Sequence, residues 1–450
     1  MSMFMNVPLK RVITGSYIES RVQMDYSGMA SPETKSIAPQ SLITVDHIER
    51  VLKTDKGSDA LLKSWKVVDF TKPGDNYACV VTSVEVKYTL ANGGDYKVSY
   101  IVKLNACRNR KGFPDFTPNL FAKEGGFYQE IVPALNVILK SAGHELLHFP
   151  KCFLVITEKG KEQMYFADLR VQGYKMFDVR EGISMDHVTL VLEELARLHS
   201  ASYLLKKKLP EGETVSTKYD FLTKDFLNFT EDSKEKVIAV LHSKIDSGIE
   251  ILEKIGGYNT AVGWLERFKP EVSDVLTTGM QSKKFSAICH GDCWNNNLLF
   301  RYNDEGCPLE VMLLDLQLCR ESSLACDLNY FLYTSVTGDI RTPNLHHILS
   351  NYHSSYKAVL DGLKVPMHFS DIELFDECRS KYKVGILFAL GVIPVLLRER
   401  EDVPVSKNTD WKKYMEETRR AALQKLDKNP LCKSLFLSVF DEFIDNGLIA

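Results

Sequence analysis

The sequence predicts an α+β protein of two lobes: a small antiparallel-sheet lobe over 41–168 and a mainly helical large lobe over 169–450, behind an N-terminal extension of residues 1–40. Three observations predict it. β-type runs crowd into residues 65–104 and 153–169, with a single helical pattern between them. Beyond Gly173 apolar residues recur at three- and four-residue steps over long stretches. A chain of 450 residues also has room for two or three core-bearing units, at roughly 100–200 residues each.

Taken in order, the first forty residues are rich in Ser, Met, Tyr and Pro without periodicity, and a helix is expected at Val45–Lys53. Trp65–Phe70 reads as a strand, Thr71 to Asn76 as a turn, and Ala78–Leu90, dense in Val, Thr and Tyr, as a long strand. Asn92-Gly93-Gly94-Asp95 is a strong hairpin turn, after which Tyr96–Leu104 alternates. Leu120, Phe121, Phe127, Tyr128, Ile131, Val132 and Leu135 form one face of a helix. Phe153–Thr157 and Gln163–Leu169 are strands joined by a polar turn around Gly160, which completes a compact β-β-β-α-β-β unit. Helical patterns follow at Met185–Leu204, Tyr219–Asn228, Ser233–Ile255, Ala261–Phe268 and several places beyond Asp327. One short hairpin near residues 297–315 interrupts them.

Composition excludes several classes of function. With 44% hydrophobic and 26% charged residues the chain is neither disordered nor fibrous. Its 56 basic and 59 acidic residues leave a net charge of −3 and no block of like charge to follow a phosphate backbone, so no nucleic-acid partner is expected. The longest apolar stretch, Val384–Leu397, is broken by Gly391 and Pro394. Its length suits a buried helix, so no membrane span is expected. Ten cysteines with no CxxC pair read as reduced thiols, and residues up to Val22 carry neither a secretory apolar run nor a myristoylation glycine. A cytoplasmic protein with no obligate protein partner is expected.

Chemistry concentrates at His290-Gly291-Asp292-Cys293-Trp294-Asn295-Asn296-Asn297, which runs into Leu298–Tyr302, a turn at Asn303–Pro308, and then Leu309–Asp315. Pairing Tyr302 with Leu309 sets the register, because paired numbers in an antiparallel hairpin keep a constant sum. Asn297 then falls opposite Leu314, beside Asp315. Two oxygen-bearing side chains at the open end of a hairpin suit a hard cation such as Mg²⁺, which needs few protein ligands. Asp292 lies five residues before Asn297, the spacing of a kinase catalytic loop: an Asp accepts a hydroxyl proton, and an Asn and a later Asp hold metal. Phosphoryl transfer needs such groups held rigidly. Each piece alone is ordinary, since His-Gly-Asp is usually a turn, three Asn usually a loop, and an Asp ending a strand often an N-cap. The joint spacing, with a hairpin between the two ligands, is harder to obtain by accident.

These residues resemble the aminoglycoside-phosphotransferase and choline-kinase-like group. More narrowly they are similar to the ecdysteroid kinase-like family of arthropods, on HGDCWNNNLLF, LLDLQL with Gln317 two after Asp315, and Asp327-Leu328. The similarity runs from about Ser41 to the C-terminal helices. It implies a protein-kinase-like fold and ATP- and Mg²⁺-dependent phosphorylation of a small-molecule hydroxyl, with an ecdysteroid or related steroid as the characteristic acceptor. Another hydroxylated compound (xenobiotic, glycoside or choline-like), or a non-catalytic binding role, is the alternative. By the resemblance Asp292 is the catalytic base and Asn297 and Asp315 hold Mg²⁺, while Gln317 and Asp327 are as readily architectural.

The small lobe is expected to serve the nucleotide. Lys103, in Ile101-Val102-Lys103-Leu104, resembles the strand lysine that meets the α/β-phosphates, although Lys97 and Ser99 share its face and leave a solvated lysine as the competing reading. Glu124 interrupts an apolar helix stripe where an unpaired carboxylate would be costly, so a cation is expected beside it, with Lys103 the nearest candidate. Glu130 lies off the stripe and should be solvated. By the resemblance, the segment from Gly74 through Asn76 to Cys79 is the phosphate loop, with Cys79 where the family typically has a small hydroxyl residue. Phe166-Ala167-Asp168-Leu169 is the implied adenine hinge, with Ala167 where an acidic residue is frequent. His199 reads as a packed structural histidine, and Cys289 and Cys293 as packing residues. No DFG, APE or activation segment follows Asp315, so a small molecule is expected over a protein substrate. A two-metal phosphohydrolase would need further His/Asp motifs that the sequence lacks.

Overall fold

The computed structural model describes residues 13–14, 39–68, 79–105, 115–177, 182–224, 231–396, 416–417, 419–420, 423–424 and 428–450. They fall into two compact units. One holds helix α1 (Val45–Lys56) and an antiparallel sheet of β1 (Ile13–Thr14), β2 (Leu61–Val68), β3 (Cys79–Thr89), β4 (Asp95–Asn105), β5 (Cys152–Ile156) and β6 (Gln163–Ala167), in the order β1-β2-β3-β4-β6-β5. β1 is a two-residue addition at the β2 edge. The expected meander is present as β2-β3-β4, and β3 and β4 pair without a slip from Cys79↔Asn105 to Thr89↔Asp95. Their turn works as its sequence predicts: Asn92 Oδ1 accepts from Gly94 N at 3.0 Å, and Gly93 takes a φ of 76°. Thr44 caps α1, whose Ile48, Val51 and Leu52 are buried at helical spacing with Val84, Val86, Tyr100, Val102, Leu104 and Tyr165 of the sheet. The strand expected at Trp65–Phe70 starts earlier, at Leu61; residues 69–78, including the expected turn, lie outside the described residues.

The other unit begins with α2 (Thr117–Gly126), a π-helical turn at Phe127–Ile131 and α3 (Val132–Ser141), which succeed one another without a break. Sequence order groups this helix with the small lobe, whereas its apolar stripe packs within the helical unit. Phe127 meets Phe149 edge-on at 5.7 Å, and a Cβ on Gly126 would come within 2.6 Å of the Phe221 ring, so only glycine fits there. The unit continues through α4 (Met185–Lys207), α5 (Val215–Lys218), α6 (Glu231–Ile255), α7 (Asn259–Phe268) and α8 (Val272–Asp274). A β segment comes next, and α9 (Leu324–Ser335), α10 (Gly338–Gly362), α11 (Asp371–Ser380), α12 (Tyr382–Leu396) and α13 (Pro430–Asp445) follow it. Of the helix expected at Tyr219–Asn228, the described part is a 3-10 turn at Asp220–Thr223. As expected, α12 is a core helix: Val384, Ile386, Leu387, Leu390 and Ile393 are buried with Ile245, Leu252, Leu265, Phe268, Phe436 and Phe440. Among the described residues no helix is long and apolar enough to cross a membrane.

The β segment positions the site. It holds the hairpin of β8 (Leu298–Tyr302) and β9 (Pro308–Leu313), and a pair that the sequence does not foretell. In that pair β7 (Ser286–Cys289) and β10 (Arg320–Ser323) run antiparallel, with Cys289 opposite Arg320. Each is only four residues long, too short for alternation to register.

Candidate active site

The hairpin register agrees with the sequence over its functional end. Leu298↔Leu313, Leu299↔Met312, Phe300↔Val311 and Arg301↔Glu310 share the expected sum, and Leu314 N donates to Asn297 O at 2.9 Å. At the closed end a bulge pairs Tyr302 with Pro308 instead of Leu309. The cause is Asn303, whose Oδ1 accepts from Glu305 N at 3.1 Å and Cys307 N at 2.8 Å and so tightens the turn. The chain leaves β9 through Asp315, which takes a left-handed conformation (φ 66°, ψ 65°), and turns into a 3-10 segment at Leu316–Leu318. Asp tolerates that region better than most residues, and a non-glycine residue held there in a functional loop is consistent with a carboxylate aimed by its backbone.

A buried carboxylate holds the loop ahead of the hairpin. Asp327 accepts from His290 N at 2.6 Å and from Gly291 N at 2.8 Å, and His199 Nε2 lies 3.0 Å from the same carboxylate. His199 Nδ1 in turn meets the Tyr352 hydroxyl at 2.8 Å. The structural role expected for His199 is therefore specific: it orients Asp327, and Asp327 fixes the backbone of His-Gly-Asp. Burial alone would raise the Asp327 pKa, but the His199 contact and the backbone donors together hold it below its ordinary value. Cys289 Sγ lies close to His199 and Asp327, which are however engaged with one another, and burial holds its thiol protonated. This cluster is an anchor and not a cation site. Gly291 completes it with a φ of 81° and a position where a Cβ would lie 2.1 Å from Leu318 O.

The anchored loop presents Asp292. Its Oδ1 accepts from the Tyr330 hydroxyl at 2.5 Å, and its Oδ2 accepts from Asn297 Nδ2 at 2.9 Å. Burial, and next the nearby negative charge of Asp315, push the Asp292 pKa up to about 7 against the pull of both hydrogen bonds. Asn297 is buried and also gives Nδ2 to the Asp292 backbone carbonyl at 2.9 Å, which leaves its amide oxygen as the group able to meet a cation. The structure thus brings together Asp292, Asn297 and Asp315. Sequence reasoning misses Tyr330, because an aromatic in an apolar helix reads as core. The available signal is its place three residues after Asp327, on the same helix face.

The residues expected to serve a nucleotide are distributed as follows. Lys103 is buried on β4, in register with Val81 and Met164. Glu124 is 2% exposed on α2, and Glu130 is exposed as expected. Cys79 is buried at the start of β3, while Gly74 and Asn76 lie outside the described residues. In the expected hinge Phe166, on β6, pairs with Ile101 of β4, and Ala167 N donates to Lys151 O at 2.9 Å. Asp168 is buried, and the Leu169 carbonyl accepts from Tyr174 N at 3.1 Å.

Comparison with known proteins adds the following. The ecdysteroid kinase-like family matches residues 73–365, more than half of the chain. No curated protein sequence matches it. Among solved structures, an ethanolamine kinase from Plasmodium vivax is similar over 82% of this chain and 83% of its own, at 13% identity and a TM-score of 0.40. The GDP complex of a mutant aminoglycoside 2'-phosphotransferase-IIIa is similar over 86% and 98%, at 9% identity and a TM-score of 0.41. A choline kinase from Streptococcus pneumoniae is similar over 85% and 99%, at 12% identity and a TM-score of 0.32. On its family match the chain belongs to the ecdysteroid kinase-like family and is a phosphotransferase that takes a hydroxyl of a small molecule as acceptor.

Proposed function

We propose that this chain transfers the γ-phosphate of ATP, with Mg²⁺, to a hydroxyl group of an ecdysteroid or related steroid. The observation that carries the reading is the contact of Asp292 with Asn297 at the open end of a hairpin whose other strand runs on, through Leu314, to Asp315. Asp292 is the base: a carboxylate with a pKa near 7 is matched to accept a hydroxyl proton near neutral pH. The donor set fits a hard cation, because the Asn297 amide nitrogen is committed to Asp292 and its oxygen remains, joined by the Asp315 carboxylate. Bound there, Mg²⁺ would supply charge neutralisation for the phosphates. On the same reading Lys103 is the cation for the α/β-phosphates, and Glu124 belongs to the nucleotide-serving set that the family resemblance implies. The segment with Gly74, Asn76 and Cys79 serves the phosphates, and Phe166, Asp168 and Leu169 the adenine. Asp292 works on the acceptor and not on the nucleotide.

The test is to incubate the purified protein with labelled ATP, with and without Mg²⁺, and a panel of ecdysteroids, choline analogues and plant glycosides. Transfer to an ecdysteroid is expected. Asp292→Asn should reduce turnover by roughly 10²–10⁴-fold while ATP binding persists. Transfer only to another class would replace the acceptor, and unchanged turnover in a folded Asp292→Asn variant would remove the base.

A further inference from the structure

Tyr330 lies in α9, three residues after the aspartate that anchors the loop, and is 4% exposed. Its ring packs on Phe388 with centroids 4.1 Å apart and planes inclined by 30°. Its hydroxyl donates to Asp292 Oδ1, while Asn297 donates to Oδ2. A carboxylate held through one oxygen can still turn about its Cβ–Cγ bond; held through both oxygens by donors on different elements, it has one plane. Each oxygen keeps a second lone pair, so the two donors do not use up the base. Burial, and then the charge of Asp292, push the Tyr330 pKa well up, which keeps the phenol a donor.

We propose that Tyr330 is a positioning residue for phosphoryl transfer, whose hydroxyl with the Asn297 amide fixes the plane of the Asp292 carboxylate so that a free lone pair is presented to the acceptor hydroxyl. This rests on the assignment of Asp292 as base. The energetic logic is preorganisation, since a misplacement of about 1 Å at a reacting group can cost 10²-fold in rate. A tyrosine that merely packed would give the same burial and the same stacking on Phe388, and the hydroxyl is what separates the two roles.

Tyr330→Phe keeps the ring and removes the hydroxyl. The full chain is assayed by ATP hydrolysis, with water as acceptor, and by phosphorylation of ecdysone, alone and in the Asp292→Asn background. A fall in kcat of about tenfold or more is expected, with KM values for ATP and ecdysone within about twofold of the parent. In the Asp292→Asn background Tyr330→Phe should cause no further loss, because it acts through a group already disabled. A kcat within about twofold of the parent, or an equal further loss in that background, would overturn the proposal. If Asp292→Asn itself keeps full turnover, the base assignment fails instead. A crystal structure of Tyr330→Phe then decides the positioning claim: a rotated Asp292 carboxylate supports it and an unmoved one overturns it.

Discussion

Asn297 gives its side-chain nitrogen to Asp292 twice, to the backbone carbonyl and to the carboxylate, both at 2.9 Å. One amide therefore closes the loop between the two residues and leaves its own oxygen uncommitted to Asp292. Asn297→Ala should remove both services. The Mg²⁺ concentration for half-maximal activity is expected to rise by about tenfold or more, and kcat should fall even at saturating metal because Asp292 loses a donor. A Mg²⁺ titration of the variant checks this. An unchanged metal requirement would take Asn297 out of the metal site.

Asp327 holds two backbone N–H groups and His199 in a buried setting. Asp327→Ala leaves those donors buried and unmatched, at an expected cost on the order of 3–5 kcal/mol in urea unfolding. The pH dependence has a definite sign. The folded-state pKa is depressed below 3.8, so the stabilisation is present above that value and is lost as pH falls through the folded pKa. The Asp327→Ala variant should therefore lose less stability than the parent between pH 4 and more acid conditions. Parallel acid limbs for the two proteins would show that Asp327 titrates normally.

Much of this is legible in the sequence, and what is not has physical reasons. The β3–β4 hairpin, the stripe of α2 and α3 and the register from Leu298 to Glu310 all follow from period and turn chemistry, which are local. β7 and β10 are not readable: Ser286–Cys289 and Arg320–Ser323 pair across more than thirty residues, and neither is long enough to show a period. Sequence pattern places the start of the helix after Asp315 near Asp327. Ser323 caps it earlier, with its hydroxyl accepting from Ala325 N, so Asp327 lies in the first turn of the helix and Tyr330 three residues further along it. Asp292, Asn297 and Asp315 can be found by spacing. Tyr330 and the role of His199 need coordinates, since a buried tyrosine and a core histidine declare their hydrogen-bond partners only in three dimensions.

Gly291 tests how tightly the loop is closed. Its φ of 81° is unfavourable for any residue with a Cβ, and the Leu318 carbonyl oxygen would lie 2.1 Å from that atom. Backbone on both sides has to move for Gly291→Ala, which displaces the N–H that Asp327 accepts. A destabilisation of about 2–4 kcal/mol and a loss of turnover of at least about a hundredfold are expected. Thermal unfolding and kcat together check it. A variant with native stability and native kcat would mean that the loop is looser than its hydrogen bonds indicate.

The final prediction concerns the acid limb of activity. Asp292 can accept a proton only when ionised, and its carboxyl is pushed up to about 7, first by burial and next by the charge of Asp315. Activity measured as kcat/KM for the acceptor should therefore fall as pH drops through about 7 at low Mg²⁺. The second cause is removable. A divalent cation on Asp315 cancels the repulsion that disfavours the Asp292 anion, so saturating Mg²⁺ should move the limb to lower pH, and Asp315→Asn should move it the same way at low Mg²⁺. Burial remains in both cases, so the limb should stay above the ordinary carboxylate range. A pH–rate profile recorded at two Mg²⁺ concentrations decides the matter. A limb below about pH 5 that ignores the metal would show that Asp292 is well solvated and electrostatically independent of Asp315, and the base would then have to work without the tuning described here.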